Sequence, residues 1–132
     1  MRSIIDIVEL STEELDELVK TALDIIANPK KYESICKGKK LATLFFEPST
    51  RTRMSFEAAM YELGGNVISM TDAASSSASK GESVSDTAKV VSCYADIIAM
   101  RHPKEGAAYV AARAASIPAC PAPITATSQL PA

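Results

Sequence analysis

The chain has 132 residues, the length of one ordinary globular domain. Hydrophobic residues make up 47% and charged residues 23% of it, a balance that excludes a disordered tail. With 14 basic and 16 acidic residues, the net charge of -2 gives no overall positive charge that would favour nucleic-acid binding. No apolar run approaches the roughly 20 residues of a membrane-spanning helix. We therefore expect neither nucleic acid nor a membrane as a partner. The amino-terminal residues lack a signal-peptide pattern, which predicts a cytoplasmic protein.

A first helix is predicted to begin after Ser11, because Ser11 and Glu14 form the pattern of a capping box. Apolar side chains then recur at helical spacing until Asn28 and Pro29 end the pattern. The basic stretch at residues 30–40 is predicted to be a solvent-exposed connection.

From residue 41 onward, short apolar runs typical of buried strands alternate with segments of helical spacing. The predicted strands are 41–46, 67–70 and 96–100, and the predicted helices are 50–63, 82–94 and 105–115. This order predicts an α/β fold, a parallel sheet with helices on both faces. In such sheets, ligands bind beyond the carboxyl ends of the strands.

The helix predicted at 50–63 carries apolar residues whose spacing indicates an inward face. These residues are Met54, Phe56, Ala59, Met60 and Leu63. The pair Gly64 and Gly65 is predicted to end this helix.

A polar cluster at residues 47–53 (EPSTRTR) lies between a predicted buried strand and the start of a helix. Free backbone N–H groups and the positive end of the helix dipole meet there. Ser49, Thr50 and Thr52 add hydroxyl groups, and Arg51 adds a planar cation suited to phosphate. The cluster therefore predicts an anion site for a phosphate group. The alternative is an ordinary serine or threonine N-cap with arginines exposed at the surface.

Two further polar clusters follow the next strands. Residues 75–82 form a loop of small residues with one cation, Lys80, which could close over an anion or be an ordinary solvated loop. Arg101 follows the third strand and should reach the same sheet edge as the first cluster, where it could face the same ligand as Arg51. The alternative, a buried pair of Arg101 with Glu47, is compatible with that role. His102, beside it, is interpreted as structural. We find no P-loop, no GxGxxG motif, no metal-ligand spacing and no activated nucleophile.

In combination, these segments resemble the aspartate/ornithine carbamoyltransferase family. Residues 46–53 (FEPSTRTR) with 55–57 (SFE) are similar to its carbamoyl-phosphate motif. The segments most similar to the aspartate branch are 76–82 (SSASKGE), 86–87 (DT), 100–103 (MRHP) and 105–107 (EGA). The resemblance runs from the first helix to about Pro118.

The resemblance implies the first half of a two-domain carbamoyltransferase fold. Residues 1–118 would form the carbamoyl-phosphate-binding domain, incomplete at its carboxyl end, and residues 119–132 a divergent, irregular or disordered tail. The aspartate branch of the family transfers the carbamoyl group of carbamoyl phosphate to L-aspartate, an early step of pyrimidine biosynthesis, with no metal or organic cofactor. Its catalytic chains form homotrimers with active sites between subunits. Regulatory chains are a further kind of partner that the resemblance allows.

The resemblance also implies roles for individual residues. Four residues at the helix start would bind the phosphate: Ser49, Thr50, Arg51 and Thr52. Thr52 and Arg101 would polarise the carbamoyl carbonyl, and Glu47 would orient the arginines. Ser76 and Lys80 would reach the site of a neighbouring subunit, with Lys80 also near aspartate.

The sequence departs from the family after Ile117 and Pro118. The family continues there with a His-Pro-Thr-Gln motif that binds the carbamoyl group, and then with the aspartate domain. We therefore expect a truncated chain that alone is weakly active or inactive. Two alternatives stay open, namely a non-catalytic phosphate-binding or oligomerisation fragment and the ornithine branch of the family.

Overall fold

A computed structural model of the chain describes residues 3–70 and 81–116. Within these residues, a short 3-10 helix at Ile7–Glu9 precedes helices and strands that alternate from residue 40 onward. The helices are α1 (Thr12–Ala27), α2 (Pro29–Tyr32), α3 (Thr50–Glu62), α4 (Val84–Ser92) and α5 (Ala107–Ala115). The strands are β1 (Lys40–Phe45), β2 (Asn66–Met70) and β3 (Ile97–Arg101). The predicted strands are confirmed within one residue at each end.

The three strands form a parallel sheet in the order β2-β1-β3, with β1 in the centre. Lys40 and Asp96 fix the start of the β1–β3 pair with two hydrogen bonds of 2.9 Å. The Lys40 N–H donates to the Asp96 carboxylate, and the Asp96 N–H donates to the Lys40 carbonyl. The Lys40 N–H, together with the Lys39 ammonium, lowers the pKa of Asp96. This register places the carboxyl ends of β1 and β3 side by side.

Helices cover both faces of this sheet, as predicted. Thr43 of β1 donates a hydrogen bond to Glu57 of α3, so α3 covers the face of the sheet to which the Thr43 side chain points. Leu44 points to the opposite face, because successive side chains of a strand alternate. Its register partner Met100 packs against an alanine cluster of α4 and α5, formed by Ala88, Ala111 and Ala114. Small side chains allow these two helices to approach closely.

The core is centred on β1. The buried apolar residues of this strand are Leu41, Ala42, Leu44 and Phe45. The edge strands β2 and β3 contain no fully buried residue among those that the structure describes. An apolar run covered on both sides is typical of a central parallel strand.

The amino-terminal helix has the predicted capping box. The Ser11 hydroxyl accepts from the Glu14 N–H at 3.2 Å, and the Glu14 carboxylate accepts from the Ser11 N–H at 2.8 Å. The prediction of a plain connection after residue 29 is wrong at its start, because Pro29 begins the short helix α2. Proline is favoured at the first position of a helix, since its missing N–H would have no partner there. No helix in the described part of the chain is long and apolar enough to cross a membrane.

The inward face predicted for α3 is partly wrong. Met60 is buried and Leu63 is half-buried, but Met54, Phe56 and Ala59 are exposed. The face towards the sheet instead carries two charged residues and one apolar residue at intervals of four and three: Arg53, Glu57 and Met60. The sheet beneath α3 presents the hydroxyl groups of Thr43 and Ser69, which donate hydrogen bonds to the Glu57 carboxylate.

Local capping explains where the other helices begin and end. Helix α4 begins two residues later than predicted, because the Ser83 hydroxyl accepts from the Asp86 N–H at 3.2 Å as an N-cap. Helix α5 begins after Gly106, which has a φ of 76°. Gly64 ends α3 with a φ of 81°, and a Cβ there would lie 2.4 Å from the Glu33 carbonyl oxygen. Glycine is therefore required at residue 64 for both conformation and space.

Candidate functional site

The candidate site forms where β1 and β3 end. The backbone N–H of Phe46 donates to the Arg101 carbonyl at 2.9 Å, so the pairing of these strands extends one residue past β1. The chain then leaves the sheet through Glu47, Pro48 and Ser49 and enters α3 at Thr50. The sequence predicted this position, since both polar clusters follow adjacent parallel strands.

Arg101, Glu47 and Ser49 are in direct contact. The Arg101 Nε donates to the Glu47 carboxylate, and its Nη1 donates to the Ser49 hydroxyl at 3.1 Å. The side chain of Arg101 is 48% exposed and that of Glu47 is 32% exposed, so the group faces solvent. The predicted pairing of Arg101 with Glu47 is thus observed, but the expectation that the pair is buried is wrong, because the strand end that carries it faces solvent. This pairing also orients the guanidinium beside the start of α3.

The start of α3 has free hydrogen-bond donors. Ser49 occupies the N-cap position, but its hydroxyl makes no capping bond and instead accepts from Arg101. The first intrahelical bond runs from the Arg53 N–H to the Ser49 carbonyl at 3.0 Å. The N–H groups of Thr50, Arg51 and Thr52 therefore lack a partner among the described residues. Together with the positive end of the helix dipole, these N–H groups favour the binding of an anion.

The first turn of α3 also carries the other predicted phosphate-binding side chains. Thr50, Arg51 and Thr52 are all exposed. Within the described parts of the chain, the Arg51 guanidinium makes no hydrogen bond or ion pair. An unpaired guanidinium beside unpaired N–H groups can donate to a phosphate from two directions.

The two arginines of the motif have different surroundings. Arg53 lies against Glu57 with 3.6 Å between Nε and Oε1, and both side chains are largely covered. Glu57 was missed as a site residue in the sequence, where it counted only as part of the SFE segment. Its spacing of four residues from Arg53 on one helix was the signal that could have identified the pair.

His102 lies next to the site and has a structural role. Its Nδ1 accepts a hydrogen bond of 2.9 Å from the Lys104 N–H. Its ring packs against Phe46 with 4.8 Å between ring centroids. These contacts hold the turn that follows β3, in agreement with the interpretation of the sequence.

Two of the predicted site residues, Ser76 and Lys80, lie outside the described residues, as does the segment 119–132. The described chain resumes at Gly81, which has a φ of 89°. The structure thus brings together six predicted site residues around the start of α3. These are Glu47, Ser49, Thr50, Arg51, Thr52 and Arg101.

Residues 2–128 match the family described as "Aspartate/ornithine carbamoyltransferase, carbamoyl-P binding domain". The chain belongs to this family. It is 60% identical over 117 residues to the aspartate carbamoyltransferase catalytic subunit of Clostridium novyi, a match that covers 89% of this chain and 38% of that protein.

Solved structures of the family show the same fold. The catalytic subunit of aspartate transcarbamoylase from M. jannaschii is 48% identical, with a TM-score of 0.80, over 89% of this chain and 40% of that chain. The Trypanosoma cruzi enzyme, solved with carbamoyl phosphate and aspartate, is 34% identical with a TM-score of 0.79, over 89% and 39% of the two chains. This chain thus spans well under half the length of the family members that it matches, and the fold predicted from its sequence is confirmed.

Proposed function

We propose that this chain is the carbamoyl-phosphate-binding part of an aspartate carbamoyltransferase catalytic subunit. The start of α3 would bind the phosphate group of carbamoyl phosphate. The observation that carries this proposal is the hydrogen bond from Arg101 to the Ser49 hydroxyl, which keeps that hydroxyl from capping the helix. Among the described residues, the N–H groups of Thr50, Arg51 and Thr52 and the Arg51 guanidinium have no partner and can donate to a phosphate.

The transfer reaction that we propose for the whole subunit uses this site to hold the donor. The α-amine of L-aspartate attacks the carbamoyl carbon, a C–N bond forms, and the C–O bond to phosphate breaks. The phosphate leaves with the electron pair, and the proton lost by the amine leaves with it. Attack places negative charge on the carbamoyl oxygen, which Thr52 and Arg101 would stabilise as fixed donors. Binding both substrates in one geometry supplies much of the remaining acceleration.

We also propose that the subunit is a cytoplasmic homotrimer, to which Ser76 and Lys80 contribute across the subunit interface. The names of the relatives, which describe catalytic subunits, support an assembly. Exposed apolar side chains on two helices support it further, namely Leu18, Val19, Leu23 and Ile26 of α1 and Met54 and Phe56 of α3. Sedimentation velocity of the purified chain, over a range of concentrations, measures its association directly.

Calorimetric titration with inorganic phosphate tests the phosphate site. Arg51→Ala should weaken binding about tenfold or more, because it removes a charge-assisted donor. Arg113→Ala is the matched control, since Arg113 is an exposed cation in the last turn of α5. Equal affinity of the parent and Arg51→Ala would remove Arg51 from the site, and a parent that does not bind phosphate would overturn the proposal.

The transfer reaction has its own test, the formation of carbamoyl-aspartate from carbamoyl phosphate and L-aspartate. We assign turnover to the whole subunit, since the present chain spans 38% of the Clostridium novyi relative. The 132-residue chain should therefore give little or no product while still binding phosphate. Turnover at an ordinary enzyme rate would contradict this division of function.

A further inference from the structure

A polar network on the sheet side of α3 joins the helix to two strands. The Oε1 atom of Glu57 accepts from the Thr43 hydroxyl at 2.8 Å and from the Ser69 hydroxyl at 2.7 Å. The same oxygen lies 3.6 Å from the Arg53 Nε. One carboxylate oxygen thus contacts β1, β2 and its own helix.

This network is largely covered, apart from Ser69 on the edge strand, which is exposed. Thr43 is fully buried, and the Arg53 and Glu57 side chains are 25% and 21% exposed. The Arg53 Nε is itself buried without a hydrogen-bond partner, so Glu57 supplies its compensating charge. A covered charge of this kind is tolerated when an opposite charge lies beside it.

The network lies directly behind the candidate phosphate site. The Arg53 N–H makes the first intrahelical bond, to the carbonyl of Ser49, and the Arg53 side chain leads to Glu57 one turn further on. Hydrogen bonds from two strands to Glu57 fix both the distance of α3 from the sheet and its rotation about the helix axis. The orientation of the free N–H groups in its first turn therefore depends on Glu57.

We infer that Glu57 is a positioning residue for phosphate binding, acting through Arg53, Thr43 and Ser69. This inference rests on the proposed phosphate site, since Glu57 would set the geometry of that site without contacting the ligand. The sign of the effect separates positioning from electrostatics. Removing a carboxylate near a bound phosphate should tighten binding by charge alone, whereas loss of position should weaken it.

The test is an NMR titration of the full chain with inorganic phosphate, following the amide signals of residues 50–53. Glu57→Gln, which keeps the side-chain size, should weaken phosphate affinity about tenfold, because the Arg53 pairing is lost and the shared acceptor is weaker. Glu62→Gln is the matched control, since it removes the same charge from an exposed position at the end of the same helix. Its affinity should equal that of the parent or exceed it.

Ser69→Ala provides a second variant if Glu57→Gln does not fold. Ser69 is exposed on an edge strand, and its loss removes one of the three contacts to the Glu57 oxygen. We expect phosphate affinity to fall about two- to threefold, with chemical-shift changes at residues 50–53 before phosphate is added. Unchanged or tighter binding by the folded variants would overturn the positioning role alone. A parent chain that fails to bind phosphate would overturn both the role and the site.

Discussion

Arg101 allows folding and phosphate binding to be tested separately. Its pair with Glu47 is at the surface, with side chains 48% and 32% exposed. Surface ion pairs of this kind contribute about 0.2–1 kcal/mol to stability. Arg101→Ala should therefore lower the free energy of unfolding by less than about 1 kcal/mol.

The expected loss in binding is larger, because the Arg101 guanidinium lies beside the start of α3 and would donate its remaining N–H groups to an anion bound there. A hydrogen bond to a charged group contributes about 1.5–3 kcal/mol, and each 1.4 kcal/mol corresponds to a factor of about ten in affinity. Arg101→Ala should thus weaken binding of inorganic phosphate about 10- to 150-fold. Part of this loss comes from Glu47, whose carboxylate would then lie unpaired beside the anion and repel it by about 1 kcal/mol at 4 Å in water.

A double variant isolates that part. Arg101→Ala with Glu47→Gln should recover about fivefold in affinity relative to Arg101→Ala alone, since the repelling charge is absent. The assay is calorimetric titration with phosphate, accompanied by urea unfolding of each variant. The reasoning is refuted if Arg101→Ala binds phosphate as well as the parent. It is also refuted if Arg101→Ala lowers the free energy of unfolding by more than about 2 kcal/mol, because the Arg101–Glu47 pair would then be needed mainly for stability.

Two further predictions concern stability. Leu44→Ala should lower the free energy of unfolding by about 2–5 kcal/mol, because Leu44 is 2% exposed in the central strand. Ile35→Ala is the control in urea unfolding, since Ile35 is exposed. Equal losses of stability in the two variants would contradict the position of the core. Hydrogen bonds, the largest from Lys31 and the others from Tyr32 and Asn28, lower the pKa of Asp24 from 3.8 to about 2. Their stabilisation is present above pH 4 and should fade as the pH falls towards 2, because the unfolded chain then takes up the proton first. The stability difference between the parent and Asp24→Asn should therefore shrink over that range, and a difference independent of pH would rule out this linkage.

Much of the fold could be predicted because its signals are local. The apolar run of β1, the capping box at Ser11 and the stop at Gly64 each depend on a few neighbouring residues. The same applies to the alternation that indicates a parallel sheet. Where a helix boundary was predicted wrongly, as at the start of α4, a single side chain set the boundary: the Ser83 hydroxyl caps the helix, so the helix begins after it.

The inward face of α3 could not be predicted from apolar spacing, because it depends on what lies beneath the helix. Thr43 and Ser69 meet only after β1 and β2 pair, and their hydroxyl groups then select a carboxylate partner. Phe56, one residue before Glu57, lies outside the row of α3 residues that faces the sheet and is exposed. The sequence contained the Arg53–Glu57 spacing, yet hydrophobic periodicity alone ignores charged residues.

The same distinction applies to the site. The sequence pattern identified the cluster at residues 47–53 and its likeness to a known motif, whereas the different surroundings of its two arginines emerged only in the folded chain. Arg51 is exposed and unpaired among the described residues, while Arg53 is covered and paired with Glu57. Among the described residues, Arg101 contacts the start of α3 on one side, and Glu57 pairs with the Arg53 side chain on the other. Phosphate binding should therefore be separable from carbamoyl transfer, since transfer needs a bound amino acid as well.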